Sequence, residues 1–143
     1  MAVYITRSAA ETEALGAALA PSLRPGDVVA LYGGLGMGKT AFVRGIASVL
    51  APQAEVSSPT FALVHEYGGH PPLVHFDMYR VESWDDLYST GFFDYLDTGA
   101  YLAIEWSENV YGALPPDTLM VEISKTGEQD RTIEIYKKEE EKA

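Results

Sequence analysis

The chain has 143 residues, which suits one compact core and falls short of the length at which chains divide into several domains. With a formal net charge of −11 the sequence has no basic stripe of the kind with which a domain grips a nucleic-acid backbone unaided, so such binding is not expected. The absence of cysteine excludes disulfides, thiolate catalysis and zinc–thiolate sites together.

Hydrophobic residues make up 47% of the chain and no long polar tract interrupts them, so the chain is expected to fold. The longest apolar runs, around Val28 to Leu31 and Tyr101 to Ile104, are strand-sized and far below the roughly 20 residues of a bilayer span. Met1 to Arg7 lacks the basic and apolar regions of a signal peptide. A cytoplasmic protein with no membrane association is expected.

In chain order, Val3 to Ile5 reads as a short strand. Ser8 followed by Glu11 has the capping-box spacing of a helix start, Leu15, Ala18 and Leu19 continue it at helical spacing, and Pro21 closes it. Pro25-Gly26 signals a turn before the apolar strand Val28 to Leu31, which reads as buried on both faces. A glycine-rich segment follows, then a helix from Thr40 to Leu50 with Phe42, Val43, Ile46 and Val49 inward. Phe61 to Tyr67 and Leu73 to Phe76 form a hairpin across Gly68-Gly69 and Pro71-Pro72. Short helices are expected at Asp85 to Tyr88 and Phe92 to Leu96, and strands at Tyr101 to Glu105, Leu119 to Ile123 and Thr132 to Tyr136. With no repeat and no linker, residues 1–136 are expected to form a single domain, and 137–143, with Glu139, Glu140 and Glu141 in a run, a charged, disordered tail. The pattern is α/β: a P-loop NTPase-like three-layer fold around a mixed, partly parallel central sheet.

Gly33-Gly34-Leu35-Gly36-Met37-Gly38-Lys39-Thr40 matches the phosphate-binding pattern G-x-x-x-x-G-K-[ST], with a buried strand before it and an amphipathic helix after it. The glycines let successive backbone N–H groups converge on an anion, and the helix beyond, entered through Ala41, adds the positive end of its dipole. Lys39 is expected to reach the β- and γ-phosphates and the Thr40 hydroxyl to ligate Mg²⁺. ATP and Mg²⁺ are the expected ligands, the motif itself not distinguishing adenine from guanine, with Gly34, Leu35, Gly36, Met37, Gly38, Lys39, Thr40 and Ala41 forming the cradle. Such a site needs a carboxylate at the end of a neighbouring buried strand, and Asp77 and Glu105 both qualify. Strand position alone does not rank them.

Beyond the P-loop, Ser58-Pro59-Thr60-Phe61 with Leu63-Val64 and Tyr67, then His75-Phe76-Asp77-Met78-Tyr79-Arg80, then Ile104-Glu105-Trp106 with Glu108, give the chain a resemblance to the TsaE (YjeE) family over most of its length. These are bacterial ATPases required for threonylcarbamoyladenosine (t6A) in tRNA. The resemblance implies that Lys39 binds ATP, that Thr40 and Glu105 bind Mg²⁺, and that Asp77 orients the attacking water. It also implies that Thr60 senses the γ-phosphate, and that Ser8 and Arg131 wall the adenine and ribose pocket. Thr60 reads equally as a turn hydroxyl, Arg80 as a phosphoryl-stabilising cation or an ordinary ion pair, and Trp106 as a core aromatic. His65, His70 and His75 share no ligand spacing and read as structural or exposed. The family usually has an acid where this chain has Gly34.

The same resemblance implies a slow, partner-activated ATPase that acts on a complex of TsaD and TsaB and meets tRNA only through them. The alternatives are a nucleotide-gated binding module, in which ATP binding controls docking, and a small-molecule kinase. The kinase would need an arginine-bearing lid for which the chain has little spare length.

Overall fold

A computed structural model of the protein describes residues 2–34, 38–57 and 64–140. Its centre is a seven-stranded sheet in the order β1-β7-β6-β2-β5-β4-β3, where β1 is Ala2–Thr6, β2 Val28–Tyr32, β3 Val64–Glu66, β4 Leu73–Asp77, β5 Tyr101–Glu105, β6 Leu119–Lys125 and β7 Arg131–Lys137. The four middle strands β6, β2, β5 and β4 run parallel. The margins are antiparallel: β1 on β7, β7 on β6, and β3 on β4. The fold is therefore α/β with a mixed sheet, as the alternation of apolar strands and helical periods predicts. The described part of the expected hairpin is β3 with β4, and residues 61–63 lie outside the described residues.

Strand parity divides the core into two layers. Val29 and Leu31 of β2 point to the side covered by α1 (Ala9–Leu19) and α2 (Lys39–Leu50), where Phe42, Val43, Ile46, Val121, Ile123 and Ile133 are also buried. Val28 and Ala30 point to the opposite side, among Phe76, Leu87, Phe92, Ile104, Val110 and Met120. That side is covered by α3 (Trp84–Ser89), α4 (Phe92–Leu96) and a 3₁₀ segment, Ser107–Ala113. The sequence reading had no element at 107–113.

Helix α1 starts as its capping box predicts, with Ser8 Oγ accepting from Glu11 N at 3.1 Å, though the Glu11 carboxylate reaches back to Arg7 N rather than to Ser8. The α-helix ends at Leu19 and Pro21 lies in a following 3₁₀ turn. Leu15, Ala18 and Leu19, read at helical spacing, lie on that helix but do not make its seam against α2. Thr12 and Gly16 are the buried positions, Ala18 is exposed, and Leu15 and Leu19 only flank the core. The reason is close approach: a Cβ at Gly16 would lie 2.2 Å from Phe42 O, and one at Gly45 would lie 1.9 Å from Glu13 O. Val49, expected inside, is 43% exposed, and Ala47 takes its place in the core. At the other end, Lys137 closes β7 and Lys138–Glu140 form a 3₁₀ turn, with Lys138 Nζ donating to Leu114 O and Lys138 N to Thr118 O. Regular structure thus extends past residue 136, the expected domain end, because Lys137 pairs with Leu119 of β6 and Lys138 finds acceptors in the turn before that strand.

Candidate nucleotide site

All four parallel strands end at one edge of the sheet, the place where ligands sit in open α/β folds. β2 runs into Gly33, β4 ends on Asp77, β5 ends on Glu105, and α2 begins at this edge with Lys39. Gly33 has φ 136° and a Cβ there would lie 2.2 Å from Ile123 O; Gly38, the residue before α2, has φ 95°. Both conformations are strained for any residue with a side chain. Leu35, Gly36 and Met37 of the expected cradle, and Ser58 to Leu63 including Thr60, lie outside the described residues.

The described side chains converge. Lys39 is only 5% exposed, and its Nζ donates to Gly34 O at 2.8 Å and Gly33 O at 3.2 Å. Burial lowers its pKa from the ordinary lysine value, opposed by the negative charges of Glu105, Glu108 and Asp77. Glu105, Glu108 and Asp77 are thus near enough for their charges to act on the ammonium. Thr40 Oγ1 donates to Glu105 Oε2 at 2.9 Å, so the two residues expected to share Mg²⁺ already meet. A hydroxyl and carboxylates are hard oxygen donors, which is what Mg²⁺ takes, usually with substrate phosphates completing its shell. Among the described residues no group of three or more His, Cys, Asp or Glu side chains could hold a metal unaided.

Asp77 and Glu105 are register partners in β4 and β5. Parity puts them on the α2 side, since Leu73 and Ala103 of the same strands are in that layer while Val74, Phe76, Leu102 and Ile104 are in the other. Both acids are buried. Asp77 Oδ1 accepts from Tyr79 N at 2.9 Å, which fixes the carboxylate over the strand end.

Three residues have roles that the sequence reading missed or undervalued. His75 is fully buried, with Nε2 2.6 Å from Glu105 Oε2 and Nδ1 2.8 Å from the Tyr67 hydroxyl. Tyr67 also lies 3.0 Å from Ser57 O, and its one proton serves one acceptor at a time. A chain of hydrogen bonds therefore joins Ser57, Tyr67, His75, Glu105 and Thr40. The signal was present as period-two spacing: His75 is two residues before Asp77 and shares its face. Trp106, expected in the core, is half-buried with a left-handed backbone, φ 58°. Its ring lies 4.3 Å from Lys39 Nζ and 4.8 Å from the Tyr79 ring, centroid to centroid. A left-handed non-glycine residue beside the lysine expected to bind phosphate makes Trp106 a candidate functional residue.

Arg80 is exposed and makes no ion pair among the described residues, which removes the ordinary pairing that was one of its two readings. With Tyr79, Trp106 and Asn109 it lines an open depression of about 870 Å³. Ser8 and Arg131 lie on the same sheet edge as the P-loop but at its far end, beyond β6: Thr6 of β1 pairs with Arg131 of β7, and Arg7 forms an exposed 3.1 Å pair with Asp130. Thr12 links the two regions, bonding Thr6 through their hydroxyls at 2.7 Å and standing 3.7 Å from a Cβ position on Gly38. Ala41 is buried in the first turn of α2, and Gly34 is exposed.

Comparison with known proteins identifies relatives. The family described as "Threonylcarbamoyl adenosine biosynthesis protein TsaE" matches residues 6–133. The chain is 36% identical over 131 residues to the tRNA threonylcarbamoyladenosine biosynthesis protein TsaE of Treponema pallidum, covering 92% of this chain and 97% of that protein. It is 37% identical over 124 residues to the protein of the same name from Bacillus subtilis, covering 86% and 77%. The crystal structure of Bacillus subtilis YdiB superposes with a TM-score of 0.75 at 30% identity, over 94% of this chain and 83% of that one.

Proposed function

The chain belongs to the TsaE family, and from that premise we propose that it is a Mg²⁺-dependent ATP-binding protein and slow ATPase. It serves t6A modification of tRNA by acting on a TsaD–TsaB complex. The observation that carries this reading is the meeting of Lys39, Thr40 and Glu105 in one crevice at the head of the parallel strands, with Thr40 Oγ1 and Glu105 Oε2 2.9 Å apart.

Lys39 exchanges its bonds to the Gly33 and Gly34 carbonyls for bonds to phosphate oxygens, which are stronger because both partners are charged. Thr40 and Glu105 are the residues that would hold Mg²⁺, which when bound neutralises charge on the β- and γ-phosphates. His75 keeps the Glu105 carboxylate in place through Nε2, the role that outer hydrogen bonds play around metal ligands. Asp77, fixed by the Tyr79 N–H, is the carboxylate available to orient a water for attack on the γ-phosphate. A net charge of −11 disfavours direct grip on tRNA and supports contact through partner proteins.

Nucleotide-gated docking is a second reading, favoured by the Lys39–Trp106 contact: phosphates that draw Lys39 away free one face of a ring that packs against the exposed Tyr79. Phosphate release from Mg-ATP, measured with the protein alone and with the TsaD–TsaB pair, separates the two. A low rate that rises with the pair and vanishes in Lys39→Ala supports the ATPase. Binding to the pair that requires ATP, with Asp77→Asn fully competent in t6A formation, supports gating and refutes the need for hydrolysis.

A further inference from the structure

The nucleotide crevice does not account for the aromatic side chains that α3 turns to solvent. Trp84 and Tyr88, one helical turn apart, are 60% and 65% exposed. Trp84 stacks on Phe93 of α4 with 6.4 Å between ring centroids, and Tyr88 tilts onto the same ring at 4.8 Å. The three form one contiguous patch, and contiguous apolar patches mark interaction sites where single exposed residues do not. Trp and Tyr are also the side chains that carry much of the binding energy at protein interfaces. Beside Trp84 lies a depression of about 220 Å³ lined by Val81, Leu87, Val110 and Ala113. It shares Val81, Glu82 and Asn109 with the larger depression under Tyr79, Arg80 and Trp106. The patch is thus continuous with the ring that covers Lys39.

Charge decides the occupant. From Val81 to Ser124 the sequence has nine aspartates and glutamates and no lysine, arginine or histidine; cations stand at its margins, Arg80 in the larger depression and Lys138 against Tyr111. Of these acids, Glu82, Asp85, Asp86, Asp94 and Asp97 are exposed on or beside α3 and α4. A surface of this sign repels RNA phosphates and an anionic bilayer, and it also repels a second copy of itself. It attracts a cationic protein surface, and guanidinium groups in particular stack on tryptophan and tyrosine rings.

We propose that the α3–α4 aromatic patch is the docking face for a basic segment of a partner protein, which places an apolar or guanidinium anchor in the depression beside Trp84. The proposal rests on the reading that this chain acts on a protein complex, and it assigns the surface. A segment seated there extends toward Tyr79 and Trp106, so docking and nucleotide binding share the Trp106 ring.

The test is the affinity of the TsaD–TsaB pair for the full chain, with Mg²⁺ and a non-hydrolysable ATP analogue, at low and high salt. Trp84→Ala is expected to weaken binding by at least about tenfold, as loss of an interface anchor does. Because Trp84 also stacks within the protein, a second variant, Asp85→Asn with Asp94→Asn, changes only exposed charge. It is expected to slow association by roughly three- to tenfold and flatten the salt dependence. Both variants keep wild-type affinity for the nucleotide analogue in the absence of the pair. If wild type binds the pair and both variants bind within about twofold of it, the docking face is wrong and the functional reading stands. If wild type does not bind the pair, the functional reading fails and this inference falls with it.

Discussion

Gly45→Ala sets two physical effects against each other, and their signs differ. Gly45 is interior to α2, so helix propensity alone predicts that alanine stabilises the protein by about 1 kcal/mol. The structure predicts the reverse. The new Cβ would lie 1.9 Å from Glu13 O and 2.8 Å from Ala17 N, both backbone atoms of α1 that no side-chain rotation can move away. Real Cβ contacts essentially never fall below 3.0 Å, so α1 must withdraw by about 1 Å, a gap that forfeits a quarter to a half of each dispersion contact along the seam. Overpacking of this kind costs about 3 kcal/mol at the upper end of its range. Subtracting the propensity gain leaves about 2 kcal/mol of net destabilisation. For a chain of this size that lowers the Tm by roughly 6–8 °C. Thermal unfolding followed by circular dichroism reads it directly. Because Thr12 of α1 stands beside Gly38, nucleotide binding should weaken as well. A Tm that rises would refute the account of how α1 seats α2, and with it the placement of Lys39.

Gly33→Ala is expected to abolish binding of a fluorescent ATP analogue and to destabilise by about 3 kcal/mol or more, since φ 136° and the 2.2 Å approach to Ile123 O both reject a side chain; retained binding would overturn this. Tyr67→Phe removes the hydroxyl bonded to His75 Nδ1, leaving a buried nitrogen unpaired at a cost of about 1–2 kcal/mol. If the bond chain positions Glu105, the Mn²⁺ half-saturation measured by electron paramagnetic resonance with a bound ATP analogue rises several-fold, on the order of the lower end of outer-ligand effects; a purely structural tyrosine would lower Tm and leave Mn²⁺ affinity unmoved. Glu105→Gln keeps shape and an acceptor for Thr40 but removes the charge, and should raise the Mg²⁺ requirement for nucleotide binding by about tenfold or more; an unchanged Mg²⁺ titration would remove Glu105 from the metal site.

Much of the fold was legible because apolar strands and helical periods are local signals. Val28 to Leu31 reads as buried on both faces and is so, with alternate residues in the two layers. The candidate phosphate site was legible for another reason: the glycine pattern, the lysine and the flanking elements are contiguous in sequence. What escaped depends on distant partners. Val49 fits the apolar period of α2 but emerges into solvent, because the seam is set by Gly16 and Gly45 and not by the bulk of side chains. His75 matched no ligand spacing on a helix, yet as a strand residue it shares a face with Asp77, and its partner Glu105 is thirty positions away on β5. The left-handed backbone of Trp106 turns its ring onto Lys39, and no composition or period encodes that turn. Lys137 to Glu140 read as a solvated end because their charge is visible and the acceptors at Leu114, Pro116 and Thr118 are not.

The central claim is that Lys39, Thr40 and Glu105 form a magnesium–nucleotide site, and calorimetric titration of a non-hydrolysable ATP analogue with excess Mg²⁺ and with chelator tests it most directly. The account predicts binding that is tighter with Mg²⁺ by about tenfold or more, an advantage lost in Thr40→Val, and no binding in Lys39→Ala. Equal affinity with and without Mg²⁺, or binding that survives Lys39→Ala, would contradict it.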